Sequence, residues 1–392
     1  MQVYSMTFMP WPRLPEAYTG SAWVVCPNEN YDPVAGTGTY REYLDLLVQA
    51  DELGFDGIAL NEHHQTPYCG MPSPNLIAAI AARTTRRARI LVLGNALPLY
   101  NPPLRVAEEY AMIDVISGGR LEAGMVVGDM PGYYSYGVNP TEARGRFNEA
   151  LELIRQAWSR PGPFEFTGEY YRYQHVNPWP RPVQTPHPPI WVPGLGSPDT
   201  MKLCAENDFH YVTLPFFHRD FVEKNYAAFR RTWLEHGREP DPSRLGLLFP
   251  IYVAETDAAA RAQFEEHYWY FTRRLLPGIQ VNTPGYTSEP ALLKMMAQMD
   301  SFMTSVNTWE EVLAGGYVVA GSPETVTERL CERIESSGAD NLLGVFQLGS
   351  MPYELAARNH ELFATEVMPA IKKEFPTGPV WTEAAQIVGG AR

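Results

Sequence analysis

Short apolar runs alternate along the chain with longer stretches in which apolar residues recur at helical spacing. Such alternation is typical of strand–helix units arranged around a parallel sheet. The runs predict eight strands, at about Val3–Met9, Phe55–Leu60, Ile90–Gly94, Leu121–Val127, Ile190–Val192, Tyr211–Leu214, Leu247–Val253 and Leu342–Phe346. Because closing eight parallel strands removes both unpaired edges, the pattern favours an eight-stranded parallel (β/α)8 TIM barrel with insertions.

The stretches between the runs predict the helices of that barrel. Gly54 ends the first helix, and the pair Ser322-Pro323 is typical of a helix start. The helices are predicted from about Tyr40, at Asn75–Arg83, Leu104–Ile116 and Thr141–Trp158, from Ser197-Pro198, at Phe221–Glu235 and Ala258–Leu275, from Pro323, and at Tyr353–Lys372.

Three stretches interrupt the repeat, at about residues 10–39, 161–188 and 277–320. The second is rich in Pro and aromatic residues, and the third mixes Gly, Pro and a short helical patch. We interpret them as insertions in one barrel domain that covers residues 1–392. Long insertions of this kind often act as lids, and this is the role we expect for 277–320.

Charge and cysteine content narrow the possible partners and the compartment. The chain has 31 basic and 45 acidic residues, a formal net charge of -14, and no basic cluster, so we expect neither a nucleic-acid nor a membrane partner. The four cysteines never fall into a C-x-x-C spacing, which argues against a disulfide framework or a zinc site. With no signal peptide and no apolar run of about 18 residues, we expect a cytoplasmic protein.

A polar segment, Asn61-Glu62-His63-His64, follows the second predicted strand. In a parallel barrel, residues directly after the strands surround the active site. The two imidazoles and the carboxylate are candidates for general acid–base groups, for metal ligands, or for ordinary loop residues. Adjacent histidines on an extended segment point to opposite sides, so the segment does not favour a shared metal ion, and we assign no metal site.

A turn of small residues, Gly194-Leu195-Gly196-Ser197, follows the fifth predicted strand and precedes a helix. Its amides, the Ser197 hydroxyl and the positive helix end would together form a phosphate cradle, although a simple helix cap has the same composition. Arg144 and Arg146 lie two residues apart, so at most one should point toward the barrel mouth. Either would suit phosphate or a surface salt bridge.

Other features do not decide the function. The aromatic residues Tyr133, Tyr134, Tyr136 and Trp179 would line an apolar pocket or simply pack within loops. The chain has no complete G-x-G-x-x-G, no G-x-S-x-G, no Walker loop and no H-E-x-x-H. Hydrolase and nucleoside-triphosphatase functions therefore lack support.

Five segments, in this order, resemble the bacterial luciferase-like flavin-dependent monooxygenase family. They are LGFDGIALNEHH (53–64), NPPLRVAEEYAMIDVISGGRLEAGM (101–125), PIWVPGLGSPDT (189–200), GSPETV (321–326) and GADNLLGVFQ (338–347). The resemblance covers nearly the whole chain and agrees with the barrel that the apolar pattern predicts.

The resemblance implies an enzyme that takes reduced FMN from a separate flavin reductase. It would react the flavin with O2 to a peroxyflavin and oxygenate an apolar aldehyde, ketone or aromatic compound. His63 matches the family's catalytic imidazole, with Glu62 and His64 as its neighbours in the motif. For FMN, the resemblance implies Arg144, Gly194, Gly196 and Ser197 at the phosphate, and Gly94 and Asn95 along the flavin ring, in some members at a non-proline cis bond.

The resemblance leaves other functions open. A deazaflavin-dependent hydride-transfer oxidoreductase would share the fold, and a non-catalytic partner subunit is a further alternative, against which His63 argues. Luciferase has a cysteine and an arginine where this chain has Val126 and Val127, so one phosphate contact is missing here. The family also implies a homodimer through the helices at 75–83 and 104–116. The sequence does not predict the substrate or the type of oxygenation.

Overall fold

The computed structural model describes residues 1–278 and 299–376, and within them eight parallel strands close a barrel. Around the barrel the strands pair in the order β1, β2, β3, β4, β7, β8, β9 and β11, with β11 returning to β1. The strands are β1 (Gln2–Thr7), β2 (Gly57–Leu60), β3 (Arg89–Ala96), β4 (Leu121–Val126), β7 (Ile190–Gly194), β8 (His210–Thr213), β9 (Leu245–Val253) and β11 (Asn341–Val345). The predicted (β/α)8 barrel is therefore confirmed.

The helices surround this sheet, and all of them except the short helices at 130–136 and 309–314 correspond to helices that the apolar periodicity predicts. They are α1 (Pro33–Glu52), α2 (Pro74–Thr84), α3 (Leu104–Ser117), α4 (Met130–Tyr136), α5 (Ala143–Ser159), α6 (Pro198–Asn207), α7 (Arg219–Glu235), α8 (Asp257–Tyr270), α9 (Trp309–Ala314), α10 (Pro323–Ser337), α11 (Tyr353–Leu362) and α12 (Met368–Glu374). One π-helical turn, Phe271–Leu275, follows α8, and another, Phe363–Val367, joins α11 to α12.

The start of α1 differs from the prediction by seven residues. The helix begins at Pro33 instead of Tyr40, because the Asp32 side chain accepts hydrogen bonds from the amides of Val34 and Ala35. Proline is also favourable in the first turn of a helix, because an N–H at that position would have no acceptor within the helix. Residues 33–39 therefore belong to α1 and not to the insertion predicted at 10–39.

The other two predicted insertions contain regular structure. In 161–188, β5 (Phe164–Thr167) and β6 (Arg172–Val176) form an antiparallel hairpin. In 277–320, α9 is followed by β10 (Val319–Gly321), which pairs in parallel with β9 outside the barrel. Residues 279–298 of that stretch lie outside the described residues, and so does the predicted lid role that rests on them.

A buried polar network crosses the barrel interior near the N-terminal ends of the strands. The Glu122 carboxylate, in the second position of β4, accepts hydrogen bonds from the Tyr4 hydroxyl at 3.0 Å and the Trp191 indole at 2.8 Å. The Arg89 guanidinium pairs with the same carboxylate. Because these partners belong to β1, β3 and β7, the network holds strands together at the end opposite the predicted site.

The helices of residues 1–278 and 299–376 fall short of the length and apolarity that a membrane span requires. None of them has a stretch long and apolar enough to cross a bilayer.

Candidate active site

The C-terminal ends of three barrel strands carry predicted site residues. Asn61, Glu62, His63 and His64 follow β2, Gly94 and Asn95 lie near the end of β3, and the turn at 194–197 follows β7. The strand β4 contributes a residue that the sequence analysis did not single out, Asp129, three positions after the strand ends.

Glu62 is the centre of a hydrogen-bond network that joins the end of β2 to the end of β3. Its carboxylate is 1% exposed and accepts hydrogen bonds from Asn95 Nδ2 at 2.8 Å, the Tyr100 hydroxyl at 2.6 Å and the Ala96 amide at 3.3 Å. Burial and the adjacent Glu62 charge raise the pKa of Tyr100. The Tyr100 hydroxyl therefore stays protonated and donates to the carboxylate.

His64 has partners at both ring nitrogens. Its Nε2 lies 3.0 Å from Glu62 Oε1, and its Nδ1 lies 3.0 Å from the Tyr136 hydroxyl. The imidazole is thus held between the Glu62 network and α4, and the described structure leaves it no free nitrogen.

His63 contacts a different carboxylate. Its Nδ1 lies 3.2 Å from Asp129 Oδ2, while no described residue hydrogen-bonds its Nε2. Two rings pack edge-on against the imidazole: Trp23, with centroids 5.3 Å apart, and Tyr68, at 4.9 Å. With Nδ1–H donating to Asp129, Nε2 is left as the nitrogen that can take up or release a proton.

Asp129 has two roles, one for each carboxylate oxygen. Oδ1 accepts a hydrogen bond from the Gly132 amide at 2.7 Å and so caps α4, while Oδ2 faces His63. Burial alone would raise the pKa of Asp129, but the hydrogen bonds and the charge of His63 together with the Gly132 amide hold it below its usual value. Asp129 is therefore a stable anion beside the imidazole.

The backbone at the end of β3 is closely packed against β4. The peptide bond between Leu93 and Gly94 is cis. A Cβ atom at Gly94 would lie 2.3 Å from the carbonyl carbon of Gly124, so the position accepts only glycine. Asn95 is completely buried, and its Oδ1 has no hydrogen-bond partner among the described residues. This orphaned acceptor marks a place where a ligand N–H would be favourable.

Arg144 lies next to the turn of small residues, as its guanidinium nitrogens are 3.3 and 3.4 Å from Thr200 Oγ1 in the first turn of α6. No described carboxylate lies within 4 Å of this guanidinium; burial lowers its pKa, and the charge of Asp199 opposes that shift. Arg146 instead bonds Glu142 and lies over the Tyr170 ring. Only Arg144 is therefore available to an anion at the turn.

The turn itself requires glycine at position 196. Gly196 has a φ of +75°, and a Cβ atom there would lie 2.2 Å from Asn225 Oδ1. Its amide donates to the Tyr211 hydroxyl at 2.9 Å, and the Ser197 side chain makes no capping bond to α6. Gly194 ends β7 beside Tyr211 and Thr200. The Ser197 hydroxyl thus does not cap α6, whose N-terminus lies beside Arg144.

The sequence model described as luciferase-like monooxygenase matches residues 22–341 of this chain. The chain belongs to this family. Luciferase-like monooxygenases are oxidoreductases, and the enzyme class and fold predicted from the sequence are confirmed. Within the described ranges, this family member has no group of three or more His, Cys, Asp or Glu side chains arranged to hold a metal ion.

The matches to named luciferase-like monooxygenases cover most of the chain. The oxygenase component of the flavin-dependent trigonelline monooxygenase of Acinetobacter baylyi is 27% identical, over 85% of this chain and 90% of its own. The monooxygenase RslO1 of Streptomyces bottropensis is 25% identical, with a TM-score of 0.73 over 95% of this chain and all of that one.

A third relative shares the fold. The oxygenating constituent of 3,6-diketocamphane monooxygenase from Pseudomonas putida, a type II Baeyer-Villiger enzyme solved with FMN, has a TM-score of 0.71 at 23% identity. The match covers 94% of this chain and 98% of that one.

Several side chains of this luciferase-like site were missed by the sequence analysis: Trp23, Tyr68, Tyr100, Asp129 and Thr200. The sequence could have indicated Asp129, because it lies three residues after the end of β4, just as His63 lies three residues after the end of β2. The proposed aromatic wall is only partly present, because Trp179 is 83% exposed while Tyr136 reaches His64.

Proposed function

We propose that this chain is the cytoplasmic oxygenase component of a two-component flavin monooxygenase. It would bind reduced FMN from a separate flavin reductase and use O2 to oxygenate an apolar aldehyde, ketone or aromatic substrate. The observation that carries the proposal is the half-buried Arg144 guanidinium, which bonds Thr200 and has no described carboxylate within 4 Å, beside the Ser197 hydroxyl that does not cap α6; this site suits the phosphate of FMN. The trigonelline and diketocamphane relatives support the choice of flavin and of an oxygenase component.

The end of β3 fits the ring of the same cofactor. Gly94 allows β3 to approach β4 closely, and the buried Asn95 Oδ1 beside it offers an acceptor to a ring N–H. Glu62 would fix the Asn95 side chain through its 2.8 Å hydrogen bond, and His64 would fix Glu62 in turn. In this proposal Glu62 and His64 are positioning residues.

The reduced flavin, when bound, supplies the electrons that activate O2. His63 would move the proton, either keeping the reacting oxygen deprotonated for attack on a carbonyl or donating a proton for transfer of oxygen to an aromatic ring. Asp129 holds Nδ1, so that Nε2 stays directed away from it, while Trp23 and Tyr68 pack against the imidazole and leave its side chain 20% exposed.

The test is an anaerobic titration with reduced FMN, followed by oxygen-consumption assays with a flavin reductase and candidate apolar substrates. We expect saturable binding of reduced FMN and substrate-dependent product formation. His63→Ala should retain FMN binding but release more hydrogen peroxide for each O2 consumed, while the exposed His175→Ala should not. Absence of FMN binding, or oxygen-independent hydride transfer to a deazaflavin, would overturn the proposal.

We also propose that the chain forms a homodimer through α2 and α3. These two helices pack against each other, and they expose five large apolar side chains: Leu76, Ile80, Met112, Val115 and Ile116. A second copy of the same surface would remove these side chains from water.

A further inference from the structure

A cavity of about 470 Å³ lies between the loop after β1, the loop after β2 and α1. The described residues that line it include none of those assigned to the proposed flavin site. Its volume falls in the range of about 300–1,000 Å³ that is usual for small-molecule pockets. The cavity is therefore large enough for an organic molecule with one or two rings.

Aromatic rings form much of the cavity wall, and the polar atoms of three of them are already bonded. The Tyr43 hydroxyl donates to the Pro10 carbonyl at 2.6 Å, the Trp11 indole donates to the Asn30 carbonyl at 3.2 Å, and the Tyr40 hydroxyl donates to the Gly70 carbonyl. The Trp11 and Tyr31 rings lie 4.6 Å apart. A ligand would therefore meet ring faces and alkyl groups.

The cavity offers no counter-charge to an ion. None of the described lining residues is Asp, Glu, Lys, Arg or His. The nearby Arg13 guanidinium bonds the lining residue Thr39 and lies 5.9 Å from the Trp11 ring, but does not line the cavity. Burying an ionised group in such surroundings is costly, so the lining favours an uncharged ligand. The exposed amides of Asn28 and Gln65 lie on the wall and remain available to one polar group of that ligand.

The backbone around the cavity is held in unusual conformations. Four residues other than glycine have a positive φ in the described ranges, and three of them line this cavity: Met9 (47°), Val24 (60°) and Gln65 (53°). A β-branched residue such as Val24 rarely adopts this conformation, and strained backbone of this kind concentrates at functional sites. The clustering is a second sign, independent of the lining chemistry, that the cavity has a role.

Two lining segments, the loop after β1 and the loop after β2, connect the cavity to the flavin site. Val24 lines the cavity, while its neighbour Trp23 packs on the His63 ring. Gln65 lines the cavity two residues after His63 itself. A molecule in the cavity would thus contact the outer side of the wall whose inner side holds the imidazole.

We propose that this cavity is a second binding site, separate from the proposed flavin site, for an uncharged ring compound. The site requires neither flavin nor catalysis. Its function can therefore be tested in the resting protein, and failure of the proposed oxygenase activity would leave this test unaffected.

Two cysteines serve the test, one as a probe in the cavity and the other as a control outside it. Cys26 lines the cavity, whereas Cys331 lies on α10, and both are partly exposed. We would measure alkylation of each by iodoacetamide, by mass spectrometry, at increasing concentrations of indole. Indole should slow alkylation of Cys26 by about tenfold when about 90% of the sites are occupied, with no change at Cys331. The benzoate anion should not protect Cys26.

Two further variants distinguish binding of indole in the cavity from a general effect of indole on the alkylation rate. Asn28→Trp would fill the cavity from its exposed wall and should abolish protection by indole. Glu29→Trp places the same ring on the neighbouring exposed residue, outside the lining, and should retain protection. An unchanged Cys26 rate with indole, equal slowing of Cys26 and Cys331, protection by benzoate, or protection in Asn28→Trp would each overturn the proposal.

Discussion

His63 Nδ1 lies 3.2 Å from Asp129 Oδ2, and this contact joins the loop after β2 to the loop after β4. The strand β3, with Gly94 and Asn95, lies between them in the barrel. Because the second oxygen of Asp129 caps α4, the position of the imidazole depends on the start of that helix. The pair therefore gives His63 a fixed orientation at the rim where the proposed cofactor binds.

Replacing Asp129 by Asn should impair catalysis without impairing cofactor binding. The amide oxygen can still cap α4, but the anion that orients His63 is lost. Misplacing a catalytic group can cost about 100-fold in rate, so we expect kcat of oxygenation to fall by up to about that factor. The dissociation constant of reduced FMN should change less than about twofold. Asp241→Asn, at another capping aspartate, is the control, and equal losses in both variants would exclude the assigned role.

Arg144 should contribute to binding of the phosphate and not of the ring. In Arg144→Met, the dissociation constant of FMN should rise by about 10–100-fold, while that of riboflavin, which has no phosphate, should stay nearly constant. Arg146→Met changes the same residue type on the same helix, but Arg146 is engaged by Glu142, so FMN binding should persist. Fluorescence titrations measure all four constants. A parallel loss of riboflavin binding would instead indicate a structural role for Arg144.

Tyr100→Phe should destabilise the fold, because it removes a donor from the buried Glu62 carboxylate. Leaving such a group short of a hydrogen bond costs about 1–3 kcal/mol in the free energy of unfolding. Tyr353→Phe, which removes a hydroxyl with no hydrogen bond to a described residue, should change it by less than about 0.5 kcal/mol. Urea unfolding of the two variants gives the comparison, and equal stabilities would contradict the importance of the Glu62 network.

His360 should make the fold sensitive to acid. Burial lowers its pKa to about 3, while its unfolded value is about 6.5, so between these pH values the unfolded chain binds a proton that the folded chain does not. The free energy of unfolding should therefore fall with decreasing pH, by up to about 1.4 kcal/mol per pH unit from this residue. His360→Gln loses the hydrogen bond to Ser5, but its free energy of unfolding should depend less on pH.

Urea unfolding at pH 7, 5.5 and 4.5 measures this effect. The stability difference between wild type and His360→Gln should narrow as the pH falls, whereas the exposed His175→Gln should follow the wild type at every pH. A difference that stays constant with pH would show that His360 does not control the acid response.

Leu76→Glu should disrupt the proposed dimer. Leu76 is 67% exposed on α2, and a charge there would have to be buried at the interface. Leu234→Glu, at an exposed apolar residue on α7, should not alter the assembly. Light scattering should give a dimer mass for the wild type and Leu234→Glu, and a monomer mass for Leu76→Glu. A monomeric wild type would contradict the proposal.

The barrel could be predicted from the sequence because its signals are local. Each barrel strand is a short apolar run, and helices such as α5 and α10 bury one regularly spaced face. The start of α1 and the presence of α4 were missed, since glycines at 36, 38, 132 and 137 favour loops by composition. The capping carboxylates Asp32 and Asp129 override that preference.

The site was only partly predictable for a different reason. His63 and the turn at 194–197 could be found from their places after strands, but the partners of His63 are 40 and 66 residues away, in Trp23 and Asp129. Arg146 has a local partner, since Glu142 lies four residues before it, but only the position of Thr200 at the start of α6 gives Arg144 its place beside the turn. Contacts between distant segments are set by the closed barrel and not by the residues beside them.

A crystal structure with bound FMN tests the central claim most directly. We predict the phosphate within hydrogen-bond distance, about 2.7–3.2 Å, of Arg144 and Ser197, with the ring against Gly94 and Asn95 and facing His63 Nε2. A phosphate bound away from Arg144, or a ring separated from His63 by bulk solvent, would contradict the account.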